Sequence, residues 1–226
     1  MESSVKHCII NAGIGGWYPK GSERLERSLI YHGFTGDILI WKNEWPNDNY
    51  DKSCIYNIKA AAFEEAIKRG YTHIFWMDCS TWIVYDIAPL FDKLNEKGWY
   101  ITSSGYNCAQ TCNDKSIKYF GFTRDEAEKI KDTSTCSFGI NLNNPKSEEF
   151  AKLFIQSAKD GIFGGSRFHD GQSSDPRFLF HRQDQSAASL IAGKLEMELS
   201  PINVEICYYA DNRPLPESTI ITLRGM

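Results

Sequence analysis

Four apolar residues, Ile74-Phe75-Trp76-Met77, run straight into Asp78, and a second apolar stretch, Trp82-Ile83-Val84, follows almost at once. A run apolar at every position reads as a strand buried on both faces, as in a parallel sheet. Just upstream, Lys59 to Arg69 has a helical pattern that stops at Gly70, which supplies the crossover a parallel sheet requires. Asp78 is therefore expected at the carboxyl end of a buried strand, the edge where open α/β sheets bind ligands. A carboxylate there can hold a divalent cation or a ribose hydroxyl, or simply bond to nearby amides. Position alone does not choose among these.

Elsewhere the chain alternates. Lys6 to Asn11 reads as a first strand, followed by a glycine-rich loop from Ala12 to Tyr18. Ser22 to Gly33 reads as an amphipathic helix, Asp37 to Trp41 as a second strand, Asp51 to Arg69 as a helix and Thr72 to Met77 as the buried strand. This repeated strand–helix order marks an α/β domain. Ala88 opens a short helix with Pro89 in its first turn, and Trp99 to Ser103 is a further strand. The second half is more irregular: a polar stretch from Cys108 to Lys118, a helix near Arg124 to Lys131, a strand from Cys136 to Leu142 and a helix from Ser147 to Lys159. A long loop rich in Gly and Ser follows from Gly161 to Pro176. Loops of that length inside compact domains are usually functional.

Composition narrows the class. At 226 residues the chain can bury a full core as one domain, with two halves meeting near residue 100. A net charge of -4 and a pI near 5.8 argue against a general nucleic-acid binder. No apolar run approaches the roughly 18 residues of a membrane span. The N-terminus lacks the apolar core of a secretory signal, so a cytoplasmic setting is expected. The seven cysteines are expected as thiols. Cys108 and Cys112 have half of a zinc spacing, but no second Cys/His pair follows.

Gly13-Ile14-Gly15-Gly16 after the first strand invites a dinucleotide reading, yet the G-x-G-x-x-G spacing fails because position 18 is Tyr. No acidic residue closes the second strand, so a Rossmann oxidoreductase is a poor match. Glycines still let backbone amides approach a phosphate or sugar, and Trp17 and Tyr18 could stack on a base.

Three segments together resemble a nucleotide-sugar glycosyltransferase of the GT-A fold. Phe75 to Phe91 is similar to that family's strand ending in a D-x-D motif, followed by an apolar strand and an acidic, Ile, x, Pro-Leu-Phe helix start. Thr135-Cys136-Ser137-Phe138-Gly139-Ile140-Asn141-Leu142 resembles the F-N-x-G strand that lines the donor sugar in glycogenin-like enzymes. Asp184-Gln185, opening an apolar helix from Ser186 to Leu195, resembles the family's D-Q motif. The size is similar to stand-alone transferase domains of large viruses and bacteria, which for a viral chain implies the host cytoplasm. The resemblance implies one α/β, Rossmann-like domain with a mixed, mostly parallel sheet between helices, and an irregular C-terminal lobe on the acceptor side. It implies transfer of a hexose or deoxyhexose from a nucleoside-diphosphate sugar, UDP-sugar favoured, to a carbohydrate acceptor, leaning towards retention.

The same resemblance implies the site residues. Ala12, Gly13, Gly15, Trp17, Tyr18, Lys59, Asp78, Cys79, Ser80, Ser137, Phe138, Gly139, His169 and Arg224 are expected around the donor. Asp78 and Ser80 are expected on Mn²⁺ or Mg²⁺. Ser80 stands where the family usually has a second carboxylate, and a neutral hydroxyl is a poor substitute on a hard cation. The late histidine motif of glycogenin-like enzymes is also absent. Asp184 is the first choice for a carboxylate near the sugar cation, against a structural reading as a helix N-cap. Gln185 would bond sugar hydroxyls or stabilise that cation. Asp170, with His169, is the next candidate for the acceptor's base. A sugar-phosphate nucleotidyltransferase and a non-catalytic nucleotide-sugar or glycan-binding module are the alternatives. For the former, Lys20 and Arg24 offer only a faint basic signature; for the latter, the degenerate motif is the support.

Overall fold

The computed structural model describes residues 6–165, 173–209 and 214–223. The first half runs β1 (His7–Gly13), α1 (Tyr18–Tyr31), β2 (Asp37–Lys42), α2 (Asn57–Lys68), β3 (His73–Met77), β4 (Thr81–Ile83), α3 (Ala88–Lys97) and β5 (Trp99–Asn107). The second half runs α4 (Cys108–Thr111), α5 (Asp114–Tyr119), α6 (Arg124–Glu128), β6 (Lys131–Asn141), α7 (Pro145–Lys159), α8 (Asp184–Lys194), β7 (Ile206–Tyr208) and β8 (Ile221–Leu223).

The main sheet has strand order β2-β1-β3-β6-β5. β1 pairs in parallel with β2 and β3, while β6 runs antiparallel to both β3 and β5. Four of the five strands thus point one way, the mixed and mostly parallel sheet expected. All five residues of β3 are buried, because helices cover both faces. Alternate side chains feed two cores. Trp76 joins Phe63, Phe138, Phe150, Phe154 and Leu190 on the side of α2, α7 and α8. Phe75 joins Leu25, Leu29, Leu90 and Leu94 on the side of α1 and α3. A ring ladder fixes the first core, with Phe63 stacked on Phe138 at 5.1 Å and Phe154 against Phe163 at 4.8 Å.

Several boundaries move. α1 starts at Tyr18 rather than Ser22, with a Pro in its first turn, which shortens the glycine loop. The polar stretch after Asn107 forms two short helices, because Asn107 and Asn113 each accept a backbone N–H as N-caps. Strand β6 begins at Lys131, where a helix is expected from the sequence, since α6 stops at Glu128. The C-terminal region is not only irregular: β7 and β8 join β4 in a second sheet of order β4-β8-β7. That sheet forms because the chain turns sharply after Asp78, whose carbonyl accepts from both the N–H and the hydroxyl of Thr81. Among the described residues no helix is long and apolar enough to cross a membrane. All seven cysteines are thiols.

Candidate active site

Strands β1 and β3 both end at one edge of the sheet. Antiparallel β6 crosses that edge, and the Cys136 carbonyl accepts the Asp78 N–H at 2.8 Å. A cleft of about 380 Å³ opens there, lined among others by Tyr18, Lys59, Asp78, Thr135, Arg182 and Asp184. That volume lies within the usual range for small-molecule sites.

At its centre Lys59 joins two carboxylates. Its ammonium lies 2.7 Å from Asp184 Oδ2 and 3.4 Å from Asp78 Oδ1, and it donates to the Thr135 carbonyl at 2.9 Å. Thr135 Oγ1 donates to Asp184 Oδ2 at 2.9 Å, and Trp76 Nε1 donates to Asp78 Oδ1 at 2.6 Å. Lys59 and Asp184 are 7% and 4% exposed, so neither charge would survive there unpaired. Burial alone would lower the Lys59 pKa, but Asp184 and Asp78 outweigh it and hold it above the ordinary lysine value. Burial raises the Asp78 pKa, with Lys59 and the Trp76 hydrogen bond working against it. A helical lysine normally points to solvent; this one sits in a stretch of α2, Asn57 to Phe63, in which every residue is buried.

Asp184 does not cap its helix. It is the first residue of α8, and the capping position belongs to Gln183, whose side chain makes no capping hydrogen bond. Gln183 holds φ 49° and ψ -114°, a conformation L-residues rarely adopt, and is buried. Strain of this kind persists where the surroundings over-determine it, commonly at functional sites. Here Gln183 Nε2 donates to the Gly165 carbonyl at 3.2 Å, which pins the entry to α8.

The cleft gathers Ala12, Tyr18, Lys59, Asp78, Cys79, Ser80, Asp184 and Gln185 from the residues expected by sequence. Cys79 reaches the wall, but its thiol turns inward to Ser22 Oγ at 3.3 Å and the Ala12 carbonyl at 3.3 Å. Burial raises its pKa, so it is a packing thiol rather than a nucleophile. Gly13, Gly15 and Trp17 do not line the cleft. A Cβ at Gly13 would lie 2.5 Å from Ser22 Oγ, so this glycine serves the close approach of α1 to β1. The Gly15 N–H is engaged by Asn43 Oδ1 at 3.0 Å, and its φ of 70° serves the turn. Trp17 packs over Gly21 and Tyr18.

Ser137, Phe138 and Gly139 also fall behind the cleft. They pair with Met77, Trp76 and Phe75, inside the sheet, and a Cβ at Gly139 would meet the Phe75 ring at 2.4 Å. The residues of β6 that reach the cleft are Thr135 and Cys136, two positions upstream in the same motif. His169, Asp170 and Arg224 lie outside the described residues. The cleft wall also includes Tyr56, Trp76, Thr135, Cys136 and Arg182, none of them among the residues expected there, although Trp76, Thr135 and Cys136 belong to the motif segments and Arg182 lies two residues before Asp184-Gln185.

No three His, Cys, Asp or Glu side chains cluster as a metal site among the described residues. Asp78 and the Ser80 hydroxyl bring hard oxygen donors to the cleft, but Asp78 Oδ1 already accepts from Trp76 and neighbours Lys59. An ion on these two residues would take most of its ligands from phosphate oxygens and water, a common arrangement for Mg²⁺.

No family model matches the chain, and no curated protein matches it in sequence. Solved structures do resemble it. A glycosyltransferase involved in glycosylation of the major capsid of PBCV-1 aligns over 96% of this chain and 92% of its own, with a TM-score of 0.53 and 8% identity. WbbM, a bifunctional glycosyltransferase, aligns over 99% of this chain but 46% of its own, with a TM-score of 0.52 and 11% identity. At such identities the likeness bears on the fold alone, a mixed α/β domain with a central, mostly parallel sheet flanked by helices.

Proposed function

We propose that the protein is a glycosyltransferase that moves a sugar from a nucleoside-diphosphate sugar, UDP-sugar favoured, to a carbohydrate acceptor. The observation that carries this reading is the Lys59 bridge between Asp78 and Asp184 at the carboxyl edge of the sheet. It sets a fixed carboxylate, held by a helix start, opposite the loop after β1 where a nucleotide would enter. Residues up to about 100 supply the nucleotide side and the remainder the sugar and acceptor side.

The chemistry asks three things of the site. The leaving diphosphate takes the electron pair of the sugar–phosphate bond, so it needs positive charge. The sugar becomes oxocarbenium-like, so it needs a negative neighbour. The acceptor hydroxyl must lose its proton. Asp184 suits the second task. With Oδ2 held by Lys59 and Thr135 it is a fixed negative charge, and a preorganised charge needs no rearrangement as the barrier is crossed. Tyr18 and Tyr56, on the cleft wall, offer aromatic faces for a base. Mn²⁺ or Mg²⁺ arriving with the donor would be held by Asp78 and Ser80 and would offset the charge on the diphosphate.

Transfer assays with UDP-, GDP- and CDP-sugars and a panel of glycan acceptors test the reading. Asp184→Asn should lower turnover per folded molecule by about 10²–10³-fold, the scale of losing one preorganised electrostatic contact. Its melting temperature should also fall, because Lys59 then keeps only Asp78. A variant that melts early yet turns over normally would assign Asp184 to structure alone. Binding without any turnover by the unmodified protein would favour a non-catalytic nucleotide-sugar module, the reading that Ser80 in place of a carboxylate supports.

A further inference from the structure

Two of the described residues that line the cleft carry a positive charge, Lys59 and Arg182. Lys59 spends its hydrogens on Asp184, Asp78 and Thr135. Arg182 differs. Its backbone is anchored by N–H bonds to the Thr111 carbonyl and Ser186 Oγ, and its guanidinium gives one hydrogen bond to a described side chain, Gln185 Oε1 at 3.1 Å. A guanidinium has five N–H donors in a planar fork that matches phosphate oxygens.

What aims it lies behind the cleft. Gln185 is 4% exposed, and its Nε2 donates to Asp132 Oδ2 at 2.7 Å. Asp132 is fully buried on β6 and also accepts from Ser104 Oγ at 2.5 Å, Ser189 Oγ at 2.7 Å and Thr111 Oγ1 at 3.0 Å. Because a carboxylate only accepts, it forces the NH₂ of Gln185 towards itself and leaves the carbonyl end facing Arg182. With the amide reversed, an NH₂ would meet a guanidinium and the contact would be lost.

We infer that Arg182 holds the diphosphate of the donor, and that Asp132 is a positioning residue that aims Arg182 through Gln185. This rests on the donor reading above and adds to it the group that meets the phosphates. Gln185 then serves by orientation rather than by gripping the sugar.

The test is calorimetric binding of UDP, GDP and CDP, together with the monophosphate and nucleoside of whichever base binds. Arg182→Gln should weaken the diphosphate by about ten- to a hundredfold, the scale of a hydrogen bond to a charged group, and leave the nucleoside unchanged. Asp132→Asn should show the same phosphate-selective loss. In Asp132→Asn combined with Gln185→Glu, the new carboxylate accepts from both Asn and Arg182, and diphosphate affinity should return. A merely structural Asp132 would shift nucleoside and diphosphate together and would not be rescued. Normal diphosphate affinity in Arg182→Gln overturns the assignment even if the Asp132 variants fail to fold. A protein that binds no nucleoside diphosphate overturns the donor reading and this assignment with it. A protein that binds a nucleoside diphosphate equally well with and without Arg182 overturns this assignment alone.

Discussion

Two buried carboxylates serve the same helix and are accommodated in opposite ways. Asp184, at the start of α8, is matched by a cation, Lys59. Asp132, packed against the next turns of α8, forms no ion pair among the described residues and is surrounded by three hydroxyls and an amide. Burial raises its pKa, and those four hydrogen bonds work against the rise. An ion pair places a definite charge at the cleft, where a reaction can use it. A carboxylate solvated by neutral donors instead fixes orientations, since every donor around it must point inward. The first arrangement suits chemistry and the second suits aiming.

The comparison breaks most visibly at Lys59. Lys59→Met leaves the buried Asp184 without its cation, and losing one partner of a buried pair typically costs about 3–5 kcal/mol. Urea unfolding should register a loss of that size, and a combined Lys59→Met and Asp184→Asn variant should recover part of it. A loss no larger than that of a surface lysine would mean the pair is not closed in solution.

His181 shows a third way to bury a polar group, by discharging it. It is fully buried; Nδ1 accepts from the Asn113 N–H, so Nε2 donates to the Gly164 carbonyl at 3.2 Å. Burial lowers its pKa from 6.5 to about 4, although Gly164 and Asp184 oppose the shift. As pH falls, the unfolded chain therefore takes up this proton before the folded one does. Stability from His181 is full above about pH 6.5 and declines towards pH 4, by on the order of 3 kcal/mol. Asp78 and Asp132, whose pKa values are raised, pull the other way, so the readout is the difference between wild type and His181→Gln across that window. Parallel curves would contradict the buried neutral histidine.

Asp132→Asn should have the smallest stability effect of the three. No charge is stranded, and a neighbouring hydroxyl can rotate to accept from one of the two new N–H donors, leaving the other without an acceptor. A loss of about 1–3 kcal/mol in urea unfolding is expected, the cost of one unsatisfied buried donor. A loss matching that of Lys59→Met would erase the distinction between the two carboxylates.

The sequence reveals the frame more readily than the grip. A strand apolar at every position and ending in Asp78 is legible because burial on both faces leaves no polar alternation. Asp184-Gln185 is legible as a motif, but its acidic residue reads equally as an N-cap until Lys59 is seen beside it. Lys59 itself is hard to read, since its burial depends on the β6 edge and α8, both distant in the chain. The slip from Thr135-Cys136 to Ser137-Phe138-Gly139 has a similar origin. Where an antiparallel strand crosses the end of β3 is set by pairing register, which no local pattern encodes. The three-residue strands of the second sheet are shorter than any periodicity can resolve.

The central claim is that the cleft around Lys59, Asp78 and Asp184 receives a nucleoside-diphosphate donor. The most direct measurement is thermal and urea unfolding with UDP, GDP and CDP, each with and without Mn²⁺. A ligand that binds only the folded state at a hundredfold excess over its dissociation constant stabilises it by about 2.7 kcal/mol. The account predicts a shift of that order for one nucleotide above the others, reduced in Asp78→Asn. No shift with any of the three, at millimolar concentration and with either metal condition, would contradict it.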